Sequence, residues 1–333
     1  MYWKTDSPNR AGKAGKDQPA VSVADQPRLA MMPCAPLMAA AVFLWLLTGF
    51  APAKAALPAA NSIDAAAANS LRARRVALQE QLAANPFKRP LVLESFESSR
   101  DVKGDIYAVV PYPFIKMSDS LSGPQAWCDI LILHLNTKSC RIAQQQGNTS
   151  LLMNVGKKSD QPIQDSFLLT FAWQLRDHRS DYLRVLLSAD EGPLSTRDYR
   201  ITLEAVPMED GATFMHLSYA YGFGLSGKIA MLAYFNTIGR LKVGFTEVGR
   251  EEAGKPVYVG GMRGLVERNT MRYYLAIESY LGALNLPPAS QFEKRINDWF
   301  AAIERYPRQL HEMEQREYLE MKRHENQRQQ GKL

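Results

Sequence analysis

Hydrophobic and polar residues alternate with a period of two through the middle of the chain, which predicts β-strands. The clearest early example runs from Gly104 to Val110 and is stopped by Pro111 and Pro113. Two short helical patterns follow, at Phe114 to Leu121 and from Gln125, and we expect the second to run into an apolar strand at Ile132 to Asn136. This order suggests a sheet whose first two strands are held apart by helices that cover one end.

The region after Cys140 has the pattern of an antiparallel meander. Short polar turns such as Asp190-Glu191-Gly192-Pro193 join the strands, so that consecutive strands pair with one another. One face of each strand is apolar and rich in aromatic residues, which indicates a sheet with one buried face. The predicted strands are Cys140 to Gln144, Ser150 to Val155, Ser166 to Arg176, Tyr182 to Ser188, Tyr199 to Val206 and Thr213 to Tyr221.

Helical periodicity returns in three longer segments. The first is Leu71 to Ala84, the second is Gly264 to Leu284 with a wide apolar stripe, and the third opens with a capping-box sequence, Ser290-Gln291-Phe292-Glu293. The charged segment from Pro307 to Leu333 is expected to be an exposed helix that frays. Between the meander and the second helix we expect a helical insert, Ser226 to Ile238, and two strands, Arg240 to Val248 and Lys255 to Val259.

An uncharged apolar run, Pro36 to Phe50, precedes the sequence Ala53-Lys54-Ala55. The run is short for a membrane span, which needs roughly 20 residues, and A-x-A is a typical cleavage pattern. We therefore expect a secretory signal cut near Ala55 and a periplasmic or secreted protein, with an uncleaved inner-membrane signal anchor as the alternative. The expected organisation is a leader at 1–55, a linker and short helix at 56–85, a main domain at 86–286 and a helical tail at 287–333.

Cleavage near Ala55 would remove Cys34 and leave Cys128 and Cys140 as the remaining thiols. In an oxidising compartment two such cysteines are expected to form a disulfide. The alternative is a pair of buried free thiols.

The composition argues against one class of partner, nucleic acid. The chain has 333 residues, a net charge of +6 and no Lys/Arg block, so no nucleic-acid partner is expected. A positively charged face is also compatible with transient contact with an anionic membrane surface.

Several segments resemble those of a secreted bacterial member of the START-like (SRPBCC, helix-grip) superfamily. They are Gly104-Asp105-Ile106-Tyr107-Ala108-Val109-Val110, Pro113-Phe114-Ile115-Lys116-Met117, Trp127-Cys128-Asp129-Ile130-Leu131 and Glu267-Arg268-Asn269. The resemblance covers roughly Pro90 to Leu286. It implies an α+β helix-grip fold, in which a curved antiparallel sheet wraps a long C-terminal helix, with extra C-terminal helices here. It also implies a cavity that binds a lipid or another hydrophobic small molecule.

Motifs for catalysis and cofactors are weak or missing. The sequence Gly222-Phe223-Gly224-Leu225-Ser226-Gly227 matches the dinucleotide fingerprint G-x-G-x-x-G. Its strand, however, contains His216 and Ser218 where a central parallel strand would be apolar, and its surroundings are antiparallel. No G-x-S-x-G, H-E-x-x-H or C-x-x-C sequence is present, so we expect no cofactor, no metal and no catalytic residue.

The candidate ligand-binding residues are aromatic or lie on strand faces that could line a cavity. His216 shares a face with Phe214 and Ser218, and Arg200 with Glu204 could supply a polar anchor one strand earlier. Alternatively, Arg200 and Glu204 are solvent-facing partners of each other. The full set is Trp127, Trp173, Arg200, His216, Tyr219, Tyr221 and Tyr274.

The expected function is therefore binding of a lipid or similar hydrophobic molecule in the bacterial envelope, or its transport there. One alternative is an envelope scaffold protein whose C-terminal helices engage a protein partner. Another is an enzyme resembling polyketide cyclases, in which His216, Arg200 or Glu204 performs acid–base chemistry.

Overall fold

The computed structural model describes residues 60–224, 242–252 and 254–331, and the side chains from residue 66 onward within these ranges. The predicted signal sequence and the predicted insert Ser226 to Ile238 lie outside the described residues. Within these ranges, no helix is both long and apolar enough to cross a membrane.

Eight antiparallel strands form the central sheet, in the order β1-β2-β8-β7-β6-β5-β4-β3. From β3 to β8 each strand pairs with the next along the chain, as the short polar turns predict, and β2 closes against β8. Strands β9, Glu247–Arg250, and β10, Pro256–Tyr258, form a separate hairpin. The sheet strands are β1 Leu91–Glu97, β2 Asp101–Val110, β3 Thr137–Gln145, β4 Asn148–Val155, β5 Phe167–Arg179, β6 Tyr182–Glu191, β7 Thr196–Pro207 and β8 Thr213–Phe223.

The sheet is curved and its concave face holds the longest helix, so the chain has the predicted helix-grip architecture. That helix, α5, is buried around most of its circumference because strands β1, β2 and β8 contact one side and other helices contact the rest. The helices are α1 Ala60–Ala77, α2 Gln79–Ala83, α3 Phe114–Leu121, α4 Pro124–Leu131, α5 Gly261–Ala283, α6 Pro288–Ile303, α7 Pro307–Leu310 and α8 Gln315–Gln329.

The outer face of the sheet carries a second, smaller core under helix α1. Leu71 and Leu78 pack there with Val206, Phe214 and Tyr182. The outer face of β7 and β8 is therefore covered where Val206 and Phe214 lie, whereas Arg200 farther along β7 is exposed.

Four local predictions are wrong. Residues 132–136 form turns, because their backbone hydrogen bonds reach back to helix α4. Residues 242–246 are not a strand. Helix α1 begins well before Leu71, and helix α6 begins at Pro288, after an N-cap Pro287, without a capping hydrogen bond from Ser290. In each case local pattern was outweighed by the tertiary contacts of the segment.

The prediction of an exposed C-terminal tail is also wrong. Helix α8 forms as predicted, but it packs against edge strand β3 and buries Tyr318, Met321, Lys322 and Glu325. Gln329 accepts a hydrogen bond from the backbone N–H of Cys140, at 2.8 Å, and so satisfies a group of the sheet edge. The charged composition concealed this burial because two of the buried residues are themselves charged.

The predicted disulfide is present between Cys128 of α4 and Cys140 of β3, whose Cα atoms are 5.2 Å apart. It joins helix α4 to the edge strand across the turns at 132–136. Both cysteines are buried in the main core.

Candidate functional site

The two faces of strands β7 and β8 divide the predicted ligand-binding residues into two groups. Tyr219 and Tyr221 face helix α5 on the concave side, together with Tyr199 of β7. His216 alternates with them and lies on the outer face, and Arg200 is exposed there. The prediction that His216 and Arg200 point into a cavity is therefore wrong, because a one-residue difference in strand position reverses the face.

Four tyrosines, Tyr199, Tyr219, Tyr221 and Tyr273, form what we call the tyrosine cluster. The rings of Tyr199 and Tyr221 stack at 5.2 Å, and Tyr273 of helix α5 meets Tyr219 edge-on at 5.3 Å. Phe171 of β5 contacts Tyr199 edge-on at 6.4 Å. The cluster thus spans the space between the sheet and helix α5 toward the end at which β8 finishes.

The tyrosine cluster is buried, like the rest of this interior. Its members are 4–8% exposed, whereas Leu203, Leu217 and Ile277 are 0% exposed. The predicted hollow is therefore filled by side chains along much of helix α5. Two surface clefts of about 330 and 390 Å³ lie on the other side of the sheet, one beside α1 and one over β4 to β6.

Buried polar groups accompany the aromatic rings. Burial raises the pKa values of Tyr219, Tyr221 and Tyr273, so these side chains remain neutral phenols. Among the described residues, the indole N–H of Trp173, on the same concave face, and Nε2 of His134 are buried without a hydrogen-bond partner of acceptable geometry. Apolar walls with a few polar groups are typical of small-molecule sites.

His134 lies beside the tyrosine cluster and was not singled out by the sequence. Its ring stacks on Tyr273 at 5.1 Å, and its Nδ1 accepts the backbone N–H of Asn136. Burial, with the charges of Arg272 and Lys322, lowers its pKa well below the usual value, so the ring is neutral and Nε2 carries the proton. The Asn269 side chain lies near the ring.

A cationic cluster adjoins this region and was also missed. Arg272, one residue before Tyr273, is buried and contacts Glu312 at 2.8 Å. Lys158 and Lys242 contact the same carboxylate at 2.6 and 3.0 Å. The signal in the sequence was Arg268 and Arg272, spaced by four in a helix that otherwise presents apolar residues to the sheet.

The remaining predicted residues lie apart from the tyrosine cluster. Trp127 is fully buried in helix α4 and donates its indole N–H to the carbonyl of Leu121, at 3.0 Å. Tyr274 lies on α5 and hydrogen-bonds Arg89 and Glu278. Both are explained by packing of the described residues, and their role in ligand binding stays a prediction.

The outer face holds a separate polar group around His216. Its Nε2 is 2.8 Å from Asp105, its Nδ1 is 3.1 Å from Glu204, and its ring stacks on Tyr107 at 4.3 Å. Burial lowers the pKa of His216, but the two carboxylates outweigh it and the pKa is raised overall. Glu204 thus pairs with His216 and Tyr182 rather than with Arg200.

Metal binding is not indicated in the described part of the chain, where no three His, Cys, Asp or Glu side chains converge. The strand that carries the first glycine of the G-x-G-x-x-G sequence does not have the surroundings of a dinucleotide site. Gly222 lies in β8 between two antiparallel neighbours, β2 and β7, whereas a dinucleotide fold needs parallel strands there.

No family model and no curated protein sequence matches the chain. Similar solved structures include human StAR-related lipid transfer protein 5, at 8% identity over 53% of this chain and 90% of that one, with a TM-score of 0.28. Norcoclaurine synthase from Thalictrum flavum is 17% identical over 45% of this chain and 81% of that one, with a TM-score of 0.30. Ara h 8.0201 is 11% identical over 44% and 92%, with a TM-score of 0.28. The fold of this chain is defined by its own strand order and by the long helix on the concave face of the sheet.

Proposed function

We propose that this protein binds a hydrophobic small molecule or lipid between the sheet and helix α5, at the tyrosine cluster. The observation that carries the proposal is the tyrosine cluster itself. It places four tyrosine rings between the sheet and helix α5, and it lies beside His134, whose ring stacks on Tyr273. Such a site offers apolar contact together with a few donors that can orient a ligand.

The driving force is transfer of apolar surface out of water. Each buried CH₂ group contributes about 0.8 kcal/mol, so a ligand with an acyl chain gains affinity without any reactive residue. Aromatic side chains add large contact areas and little loss of conformational freedom.

We also propose that binding takes place in the bacterial envelope, after cleavage near Ala55. The Cys128–Cys140 disulfide supports this compartment, because disulfides persist in oxidising environments and are rare in the cytosol. Sequencing the N-terminus of the protein recovered from the periplasm tests the cleavage, and an intact Met1 or a membrane-bound product contradicts it.

The binding proposal is tested with the purified product of the full sequence. Organic extraction followed by mass spectrometry should identify a co-purified lipid. After delipidation, dibromostearate should quench tryptophan fluorescence, because bromine quenches indoles that it contacts. Trp173→Phe should remove most of that quenching, since Trp173 lies on the concave face.

Two matched variants make the location testable. Trp299→Phe changes an indole that is buried between helices and donates to the carbonyl of Arg272, and it should leave the quenching in place. His216→Ala, on the outer face, should leave the affinity unchanged. Absence of both co-purified lipid and dibromostearate binding would contradict the proposal, and quenching that depends on Trp299 would contradict the location.

A further inference from the structure

Three cations converge on one carboxylate next to the tyrosine cluster. Glu312 accepts contacts from Arg272 at 2.8 Å, from Lys158 at 2.6 Å and from Lys242 at 3.0 Å. The four side chains, which we call the Glu312 cluster, carry a net charge of +2 when all are ionised. An excess of like charge in a partly buried place is unfavourable unless something balances it.

The pKa shifts of Glu312 and Lys158 agree with a local excess of positive charge. Burial raises the pKa of Glu312, but Arg272 and Lys158 outweigh it and hold the pKa at about 2. Burial and the charge of Arg272 lower the pKa of Lys158 to about 8. Glu312 therefore stays ionised at neutral pH, where it is shared by Lys158, Lys242 and Arg272.

The two lysines can reach a ligand. Their side chains are 32% and 28% exposed, in contrast to 1% for Arg272. A lysine ammonium has three N–H donors. Among the described residues, Lys158 contacts Glu312 alone, and Lys242 adds only the carbonyl of His311. Each lysine thus keeps donor capacity for an additional acceptor.

His134 connects the Glu312 cluster to the tyrosine cluster. Its ring stacks on Tyr273, and the Asn269 side chain interacts with the same ring. The charges of Arg272 and Lys158 act on the same ring. A ligand that lies against Tyr273 would therefore have its end toward His134 and Lys158, which shares Glu312 with Lys242.

From this arrangement we infer that the bound hydrophobic molecule carries an acidic group, a carboxylate or a phosphate, which Lys158 and Lys242 bind at the edge of the tyrosine cluster. The inference rests on the proposed function and specifies its ligand class. The acidic group would add negative charge to the Glu312 cluster and accept hydrogen bonds from the two lysines. Such hydrogen bonds are charge-assisted and therefore stronger than neutral ones.

The test compares ligands that share an apolar chain and differ in the head. Oleic acid, oleyl phosphate and oleyl alcohol are titrated into the delipidated full-sequence product, with inorganic phosphate as the head without a chain. The variants are Lys158→Gln, Lys242→Gln and the double substitution. Lys294→Gln is the control, because Lys294 is a part-exposed lysine paired with Asp298 on helix α6.

We expect the acid or the phosphate to bind at least about tenfold more tightly than the alcohol, the scale of one charge-assisted hydrogen bond. Lys158→Gln and Lys242→Gln should each reduce this ratio, the double variant should bring it close to one, and Lys294→Gln should not change it. Circular dichroism shows whether each variant is folded, and Lys158→Gln leaves Glu312 with Arg272 and Lys242.

Equal affinity for all three oleyl ligands would overturn the inference and leave the proposed function standing. An acid preference that survives the double substitution would also overturn it. Binding of inorganic phosphate with no binding of any oleyl ligand would refute the proposed function and reduce the Glu312 cluster to a site for a free anion.

Discussion

Lys138 of strand β3 and Glu325 of helix α8 form an ion pair at 2.9 Å, and both side chains are completely buried. Glu325 also binds Lys322 at 2.8 Å, and the two lysines donate to carbonyls that include those of Leu135 and His134. This network fastens the last helix over the edge of the sheet. The C-terminal helices therefore use their apolar residues internally, and a protein partner would have to bind their exposed faces.

Removing the shared carboxylate should strongly destabilise the protein. Glu325→Gln leaves two buried lysines without a counter-charge and should lower the free energy of unfolding by about 3–5 kcal/mol. Lys138→Met should be less damaging, because Lys322 and Glu325 remain as a neutral pair. Urea unfolding measures whether Glu325→Gln loses more stability than Lys138→Met. Glu320→Gln, on the exposed side of α8, should change stability by less than about 0.5 kcal/mol, and a reversed order would contradict the account.

A close approach between strand β2 and helix α5 predicts a second effect. A Cβ atom at Gly104 would lie 2.3 Å from Oγ1 of Thr270 and 3.2 Å from its Cβ. Gly104→Ala should therefore destabilise the fold by about 1–3 kcal/mol through overpacking. Thr270→Ala should recover part of this loss in the double variant, and a double-mutant cycle by thermal or urea unfolding measures it. Strict additivity of the two changes would show that the contact is not the cause.

The group around His216 predicts a pH-dependent contribution to stability. The folded pKa of His216 is raised, so its contribution is fully present below the ordinary value of 6.5 and is lost as the pH rises through the folded value. The pKa values of Asp105 and Glu204 are lowered, mainly by His216 against the effect of burial, so their contribution is present above their ordinary values of 3.8 and 4.5 and is lost at lower pH.

The stability difference between the wild type and His216→Asn should consequently be largest between about pH 4.5 and 6.5. It should shrink on both sides of that window. Urea unfolding across the pH range measures the difference, and His178→Asn serves as a control because His178 pairs with Asp119 on the surface. A difference that is constant with pH would contradict the paired geometry.

The disulfide predicts sensitivity to reduction. Closing the loop of 12 residues between Cys128 and Cys140 should contribute about 3 kcal/mol, the scale for short loops. Unfolding in the presence of a phosphine reductant should show this loss in the wild type. The Cys128→Ala, Cys140→Ala variant should be less stable without reductant and unaffected by it, and equal stability of wild type and variant would contradict the prediction.

Local pattern predicted the sheet well, because period-two alternation and polar turns act within a few residues of one another. Strands β4 to β8, helices α3 and α4 and the long helix α5 all lie within a few residues of their predicted positions. The disulfide was predicted from the expected oxidising compartment and from the two cysteines that remain after cleavage near Ala55. Tyr219 and Tyr221, which were predicted to line a ligand cavity, lie on the concave face, and their role in ligand binding stays a prediction.

Sequence alone could not determine which strand face the long helix would cover, nor that helix α1 would cover the other. Both faces of β8 contain apolar and aromatic residues, so alternation marks two faces without saying which one is inside, and His216 was assigned to the wrong one. The Glu312 cluster joins residues from a loop, helix α5 and the segment before α8, and the Lys138–Glu325 pair joins β3 to the last helix. Charged residues look solvent-exposed in a sequence. Only tertiary structure brings opposite charges close enough to be buried together.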